Sequence, residues 1–546
     1  MLMWKFFNNK ILNGLNGQSQ TITSAAIILA VASLASRFLG LIRDRLLAGQ
    51  FGAGDTLDIY YAAFRIPDLV YNLLILGALS AGFIPVFVSL WQKGERDEKA
   101  WQFVNSILNI LLVGLIILGG LFFIFAPYLM KLITPGFSGE KFNLTVQLTR
   151  IMFLSPLLLG ISGIWGGVLQ SLKRFFVFSL APIFYNLGII FGILFLVPRF
   201  GIYGLAYGVV LGAFLHMVIQ LPTLLSLGFR WRPVFNWADE GMRRLTKLMV
   251  PRTLTLAVSQ LNFVAITILA SGLAAGSLAV FNLSFNIWSF PLGILAASLA
   301  IAAFPILSQN AATKDRQAFA KTFSVTFRQI LFLIIPASAL FIVLRAQIVR
   351  VVLGTGKFDW TDTILTFQSL QYLTLGLFAE ALILLLIRGF FALQDTKTPF
   401  WLGLFSSAVR IFGAWIFAAY LGVPGLALGY ALGGVAYLIL LWIFLERKVG
   451  DLNFREILNS GLKIFLASFL AGLAAYLMLQ VMDKFVNTHK VLGIFAQGLA
   501  AGIVGIIVYF LAGLILRSQE MWAFYRSLKN RLPFKTVAPD KELIQE

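Results

Sequence analysis

Apolar stretches along this chain are long, and the polar segments between them are short. A hydrocarbon core about 30 Å thick takes about 20 helical residues to cross. Runs of that length start near Thr23, Asp58, Trp101, Leu144, Phe176, Tyr203, Leu245, Leu278, Phe319, Ile364, Phe400, Leu426, Leu462 and Val491. The pattern therefore predicts an all-α polytopic membrane protein with fourteen transmembrane helices. MLMWKFFNNK at the start is too short and too interrupted for a cleavable signal, so residues 1–20 are expected to form a cytoplasmic interfacial segment.

An even span count places both termini on one side and sorts the loops into two sets. The set sharing the termini's side holds roughly 26 basic residues against roughly 8 in the other, an asymmetry that puts both termini in the cytoplasm. The composition agrees: of 546 residues 59% are hydrophobic and 12% charged, mean hydropathy is +0.88 and net charge +20. Most of that charge is an orientation signal, so no nucleic-acid partner is expected.

Cysteine is absent and only His216 and His489 are present, which excludes disulfides, thiol catalysis and multi-histidine metal sites. His216 is expected to satisfy a local carbonyl, and His489 lies in a polar loop. No phosphate-binding G-x-x-x-x-G-K-[ST] loop occurs. Transport would then need no cofactor or metal, and would draw on membrane potential, a cation gradient or substrate flux.

The chain also repeats. LQSLKRFFVF from Leu169 matches LQDTKTPFWL from Leu393 at an offset of 224, and Pro85 matches Pro305 at 220. Each unit carries six spans, an even number, so the halves insert the same way up about an axis along the membrane normal. The expected domains are an N-lobe over 21–230, a C-lobe over 231–450, two further helices over 451–518 and a cytoplasmic tail over 519–546.

Charges inside the spans are rare and functional by default. The first span carries Arg37, Arg43 and Asp44, with Gly40 permitting a bend that gathers the guanidinium groups. The second adds Asp58, Arg65 and Asp68 around Pro67. An arginine-lined cavity points to an anionic, phosphorylated substrate. The competing reading is internal neutralisation, with Arg37 on Asp44 or Asp58 and Arg65 on Asp68. In the second half, Arg410 falls opposite Asn186 by the 224 offset, and is either a tethered cation standing where a metal ion would bind or the partner of Glu380.

Six segments, SRFLGLIRD, FGAGDTLDIYYAAFRIPDL, GALSAGFIPVF, GVLQSLKRFFVFSLAPIFYN, SFPLGILAASLAIAAFP and GFFALQDTKTP, make the chain resemble the MurJ/MviN lipid II flippase family of the MOP exporter superfamily. The resemblance covers the first twelve spans by motif. It implies a bacterial inner-membrane transporter, not an enzyme, in which a central cavity alternates between the two faces and takes the diphosphate-sugar-peptide head of lipid II. The last two helices are then expected to hold its polyprenyl tail, and the partners to be lipid II and membrane lipids, with the protein acting as a monomer.

Carried over residue by residue, the resemblance gives as substrate-binding Ser36, Arg37 and Arg43 of the first-helix pattern, with the two arginines on the diphosphate, Asp58 at the acidic position of the second helix, Arg65 at a basic one and Asn186 at the end of A-P-x-x-x-N. Two family arginines are replaced, by Tyr71 and Asn286, and two acids by Leu76 and Ser289. Tyr71, Asn282 and Asn286 still donate hydrogen bonds, without charge. A MOP-type flippase for another polyprenyl-diphosphate-linked oligosaccharide is the alternative. A cation-coupled drug exporter would favour carboxylates, and a membrane-embedded glycan polymerase or transferase would need acidic catalytic clusters in the cytoplasmic loops, which the sequence lacks.

Overall fold

Where the chain enters hydrocarbon, each backbone N–H and C=O must find its partner within the segment, and the apolar runs form helices for that reason. The computed structural model describes residues 22–76, 82–91, 98–237, 240–488 and 490–531. The 1–20 segment, the small-residue stretch at 77–81, His489 and the tail beyond Arg531 lie outside the described residues. Among the described residues every regular element is helical.

Among the described residues ten helical runs are long and apolar enough to cross a membrane, from Glu98–Ile133 through Val491–Ile515. An eleventh is the pair Trp360–Leu375 and Leu377–Ala392, bent by 42° at its break. Three predicted starts, Thr23, Asp58 and Leu245, fall in the more polar helices Ile22–Phe51, Asp55–Val70 and Glu240–Ser271. The predicted start at Ile364 was late: the helix begins at Trp360, where Asp359 and Asp362 form a reciprocal capping box.

Among the described residues, π-helical turns at Tyr71–Leu76, Gly192–Leu196 and Leu292–Ala296 interrupt the helices. Two of them follow a proline, Pro67 and Pro291. A proline cannot donate to the carbonyl one turn back, and a π turn lets the ladder resume with one residue to spare.

The repeat is visible in the backbone, but its register is 221 rather than 224. Positive φ angles recur at Lys173 (58°) and Gln394 (57°), and at Gly201 (58°) and Gly422 (64°). Glycine pairs face one another in both resulting hairpins. A Cβ on Gly192 would stand 2.4 Å from the Cα of Gly208, and one on Gly429 would stand 2.0 Å from the Ala414 nitrogen, beside Gly413. Helix backbones touch there, as small residues permit in membranes. The letter match misplaces the register because Lys173 lies in the turn whereas Lys397 opens a helix. At 221, Arg410 stands opposite Ile189, and Asn186 opposite Ser407.

The described helices pack into two units. One combines residues up to Phe290 with Ile348–Glu380 and Gln394–Leu441. Its aromatic core gathers Phe83, Phe87, Phe103, Trp101, Trp165 and Phe229, and Asn105 and Asn109 donate to carbonyls of Arg230, Arg232 and Val234 to tie down the connection that follows. The other combines Pro291–Gln347, Ala381–Leu393 and the residues from Trp442 on. There buried Arg328 reaches Gln519 at 2.9 Å and Glu520 at 3.4 Å, fastening the helix Gln519–Arg531.

Candidate functional site: an arginine network and a sealed end

Arg43 sits on the helix Ile22–Phe51, which runs through Gly40 unbroken. Its Nε and Nη2 donate to Asp44 Oδ1 at 3.0 and 2.9 Å, and its Nη1 donates to Asn186 Oδ1 at 3.2 Å. Asn186 passes the chain on, its Nδ2 donating to the Ser36 carbonyl at 3.2 Å and to the Ser36 hydroxyl at 3.3 Å. From the other side, Asn286 Nδ2 donates to Asp44 Oδ2 at 2.8 Å. Ser36, Arg43, Asn186 and Asn286, all singled out in the sequence, are thus one network, with buried Asp44 as its centre.

The charges divide unequally within it. Arg43 uses three of its five N–H donors on Asp44 and Asn186, leaving two. Arg37 is half-buried and has no hydrogen-bond or ion-pair partner among the described residues. Neither expected neutralisation of Arg37 occurs; Asp44 pairs with its own neighbour and Asp58 is engaged elsewhere.

Arg65 is also held differently from expectation. Instead of closing on Asp68, it donates to Thr267 Oγ1 at 2.8 Å and Asn282 Oδ1 at 2.6 Å, and lies 5.5 Å from the Phe263 ring. It therefore bridges Asp55–Val70 to Glu240–Ser271 and Ser277–Pro291. Tyr71 begins the π turn. Of the two replaced acids, the side chain of Leu76 is outside the described residues, and Ser289 donates to the Asn286 carbonyl at 3.0 Å.

Asp58 does not join the arginine network. It caps the helix Ser277–Pro291, accepting from Gly276 N at 2.8 Å and Ala279 N at 3.0 Å, with Lys141 Nζ at 2.9 Å. Around it the chain seals one end of this unit. Ala53 N donates to Asp362 Oδ2 at 2.8 Å, Lys357 N to the Gly49 carbonyl at 2.8 Å, Gly136 N to Ser271 Oγ at 3.2 Å, and Arg45 to the carbonyls of Val351 and Val352. The approach is close: with φ at +86°, a Cβ on Gly276 would overlap the Ala53 carbonyl at 1.6 Å. Sequence reading missed Lys141, Arg45 and Asp362. Lys141 carried a weak signal, a basic residue in the first turn of a helix where the dipole disfavours it.

Glu380 and Arg410 form an ion pair, the blander of the two readings. The guanidinium carbon also lies 4.2 Å from the Tyr430 ring centroid. Gly433 and Gly434 make room, since a Cβ on them would meet Arg410 Cγ at 1.9 Å and Glu380 Oε1 at 2.6 Å. His216 Nδ1 meets the Ser162 hydroxyl at 2.6 Å rather than a carbonyl, within a structural cluster that includes Gln220. Among the described residues no cluster of three or more His, Cys, Asp or Glu is arranged to hold a metal ion.

Comparison with known proteins bears on this arrangement. The family model described as lipid II flippase MurJ matches residues 47–496. A relative named "Probable lipid II flippase MurJ" from Vibrio cholerae serotype O1 is 30% identical over 434 residues, covering 78% of this chain and 83% of the relative. The solved structure titled "Lipid II flippase MurJ, inward closed conformation" superposes with a TM-score of 0.73 at 26% identity, covering 92% of this chain and all of that one. An inward-facing multidrug resistance MATE family transporter of the MOP superfamily shares the fold, with a TM-score of 0.65 at 16% identity over 79% of this chain and 99% of its own. A multi-pass membrane chain with this match over most of its length belongs to the lipid II flippase MurJ family, a family of transporters rather than enzymes.

Proposed function

We propose that this protein moves lipid II, the polyprenyl-diphosphate-linked peptidoglycan precursor, from the inner to the outer leaflet of the bacterial inner membrane by alternating access. The observation that carries this reading is the pairing of a fixed and a free arginine on one helix. Arg43 is aimed by Asp44 and Asn186 with two donors to spare, and Arg37 has no partner among the described residues. On the unbroken helix the two arginines stand six residues apart, about 9 Å along the axis and about 120° round it, so their long side chains reach toward each other to take the two phosphates of a diphosphate. Ser36, Asn186 and Asn286 hold Arg43 and its partner Asp44 in place, Tyr71 and Arg65 act on the sugar-peptide head, and Asp58 serves the gate.

The topology proposed with it has fourteen spans, both termini in the cytoplasm and two six-helix lobes over 21–230 and 231–450, with the helices at 451–518 receiving the tail. The sealed end around Asp58 then faces outward, and the site opens toward the cytoplasm. Arg410 balances the charge of Glu380 within their ion pair, and any coupling to a cation gradient or membrane potential is assigned to this pair. Neutral Asn286 and Tyr71 favour, as a second reading, another polyprenyl-diphosphate-linked oligosaccharide with a less acidic head.

Complementation of a lipid II flippase depletion strain tests the function. The wild type should restore growth, and Arg37→Ala should fail at equal membrane abundance. A well-expressed wild type that does not complement moves the assignment to another glycan lipid, and full activity of Arg37→Ala removes the diphosphate mechanism.

A further inference from the structure

Arg150 plays no part in the site described above, and its surroundings are unusual for a membrane arginine. It lies eleven residues into the run that starts at Gly139, about 16 Å along the axis. Its Nε donates to the Phe123 carbonyl at 3.0 Å and its guanidinium carbon lies 4.9 Å from the Phe123 ring centroid. No carboxylate pairs with it among the described residues. Arginines in hydrocarbon ordinarily pair with an anion or a backbone carbonyl or line a wet cavity; the Phe123 carbonyl takes Nε alone, and the two terminal nitrogens have no partner among the described residues. Here the cavity is a groove of about 840 Å³ and nearly all apolar.

The groove has a polar end and an apolar end. Arg150 and Tyr207 stand toward the Ile133–Gly139 turn, and the walls run inward from them past Leu154, Leu158 and Phe214. Its floor is open at Gly119 and Gly120, where a Cβ would meet nothing within 4 Å. Phe123, Leu154, Tyr207 and Phe214 remain exposed on the rim, so the opening faces the lipid side. The volume lies in the range of small-molecule sites, about 300–1,000 Å³.

We propose that this groove is a binding site for one anionic glycerophospholipid, its phosphate on the free guanidinium nitrogens of Arg150 and an acyl chain along the Gly119–Gly120 floor. Polarity matches along the whole length: a cation lacking a carboxylate partner at the end nearer the membrane surface, hydrocarbon below. Basic pockets between membrane helices recognise lipid headgroups through this chemistry. The occupant belongs to the leaflet of the Ile133–Gly139 turn, which is the outer one in the topology proposed above; the site itself does not depend on that topology.

Native mass spectrometry of the full-length protein, titrated with phosphatidylglycerol and with phosphatidylcholine, tests it. The first phosphatidylglycerol should bind about fivefold tighter than the first phosphatidylcholine, the factor that one basic residue near the surface contributes toward an anionic lipid. Arg150→Gln should abolish that preference, Arg150→Lys should keep part of it, and Gly120→Phe should reduce retention of both lipids. Equal binding of the two lipids to the wild type overturns the proposal, as does a preference that survives Arg150→Gln. Stronger retention of undecaprenyl phosphate than of phosphatidylglycerol at equal concentration also overturns it, by making the occupant a polyprenyl lipid. Should Arg150→Gln fail to fold, Arg150→Lys and Gly120→Phe still decide. The readout is mass rather than transport, so its failure leaves the flippase reading standing, and the reverse holds equally.

Discussion

Replacing Asp58 by asparagine should unseal the end of the unit that its carboxylate closes. Asp58 is 1% exposed and accepts from two backbone N–H groups and an ammonium. Asparagine keeps one carbonyl oxygen for one of the N–H groups and turns an amide toward Lys141. Bonds to a charged acceptor contribute about 1.5–3 kcal/mol each, and a pair reaching solvent adds about 1 kcal/mol or less. Opening rehydrates either side chain, so the sealed state alone loses about 3 kcal/mol, which raises the open-to-sealed ratio about 150-fold. With no native cysteine, Ser277→Cys gives a single, nearly isosteric reporter at a buried position beside the latch. Labelling of intact cells by a membrane-impermeant maleimide follows the open fraction. It should accelerate about a hundredfold in the Asp58→Asn background, and about fivefold or less with Lys141→Gln, whose ion pair is partly exposed. A change under threefold for Asp58→Asn would refute the latch.

Three further outcomes follow from the same geometry. Arg43→Ala should leave buried Asp44 uncompensated at a cost of about 3–5 kcal/mol and lower the folded yield; adding Asp44→Asn should restore the yield, read by size-exclusion chromatography, but not growth of the depletion strain. Arg37→Ala should match the wild type in thermal melting while losing transport, because among the described residues it breaks no hydrogen bond or ion pair. Gly433→Ala should overpack against Arg410, whose Cγ, Cα and Cβ would stand 1.9, 2.9 and 2.9 Å from the new methyl, costing about 1–3 kcal/mol and lowering the melting temperature in detergent; Arg410→Ala should relieve the Cγ part of that clash only, and its own effect on transport reports whether the Glu380 pair couples to an ion.

Helix positions were legible wherever apolar runs are long: Tyr203 and Val491 open helices as read, and Phe176 falls one residue late. Breaks inside runs were not, because a π turn or the bend at Gly376 leaves hydropathy unchanged. In the site, residue types pointed to Ser36, Arg43, Asn186 and Asn286, which do meet. Pairings were misjudged because spacing arguments favour partners on one face, such as Arg37 with Asp44. Neighbours in sequence do not share a helix face, yet the Arg43 side chain is long enough to wrap back onto Asp44. Asp58 was read as a ligand for substrate because nothing local reveals that the start of a helix more than two hundred residues away comes to rest on its carboxylate. The repeat offset erred by three residues because letters were matched across a turn whose two copies differ in where the next helix begins.

The π turn at Tyr71–Leu76 also bears on how such chains tolerate insertion and loss. One extra residue in an α-helix ordinarily rotates everything downstream by about 100°, turning lipid-facing side chains inward. Housed in a π turn, the surplus is absorbed within a single loop of the coil. In the like turn Gly192–Leu196, deleting Leu194 should therefore return the segment to regular α-helix with Phe175–Phe191 and Val197–Phe200 still correctly aimed and the protein still inserted. The same deletion at Leu111, in the uninterrupted helix Glu98–Ile133, should misdirect half a span and abolish accumulation in the membrane. Spare residues of this kind are places where a packed membrane helix can change length without first being dismantled.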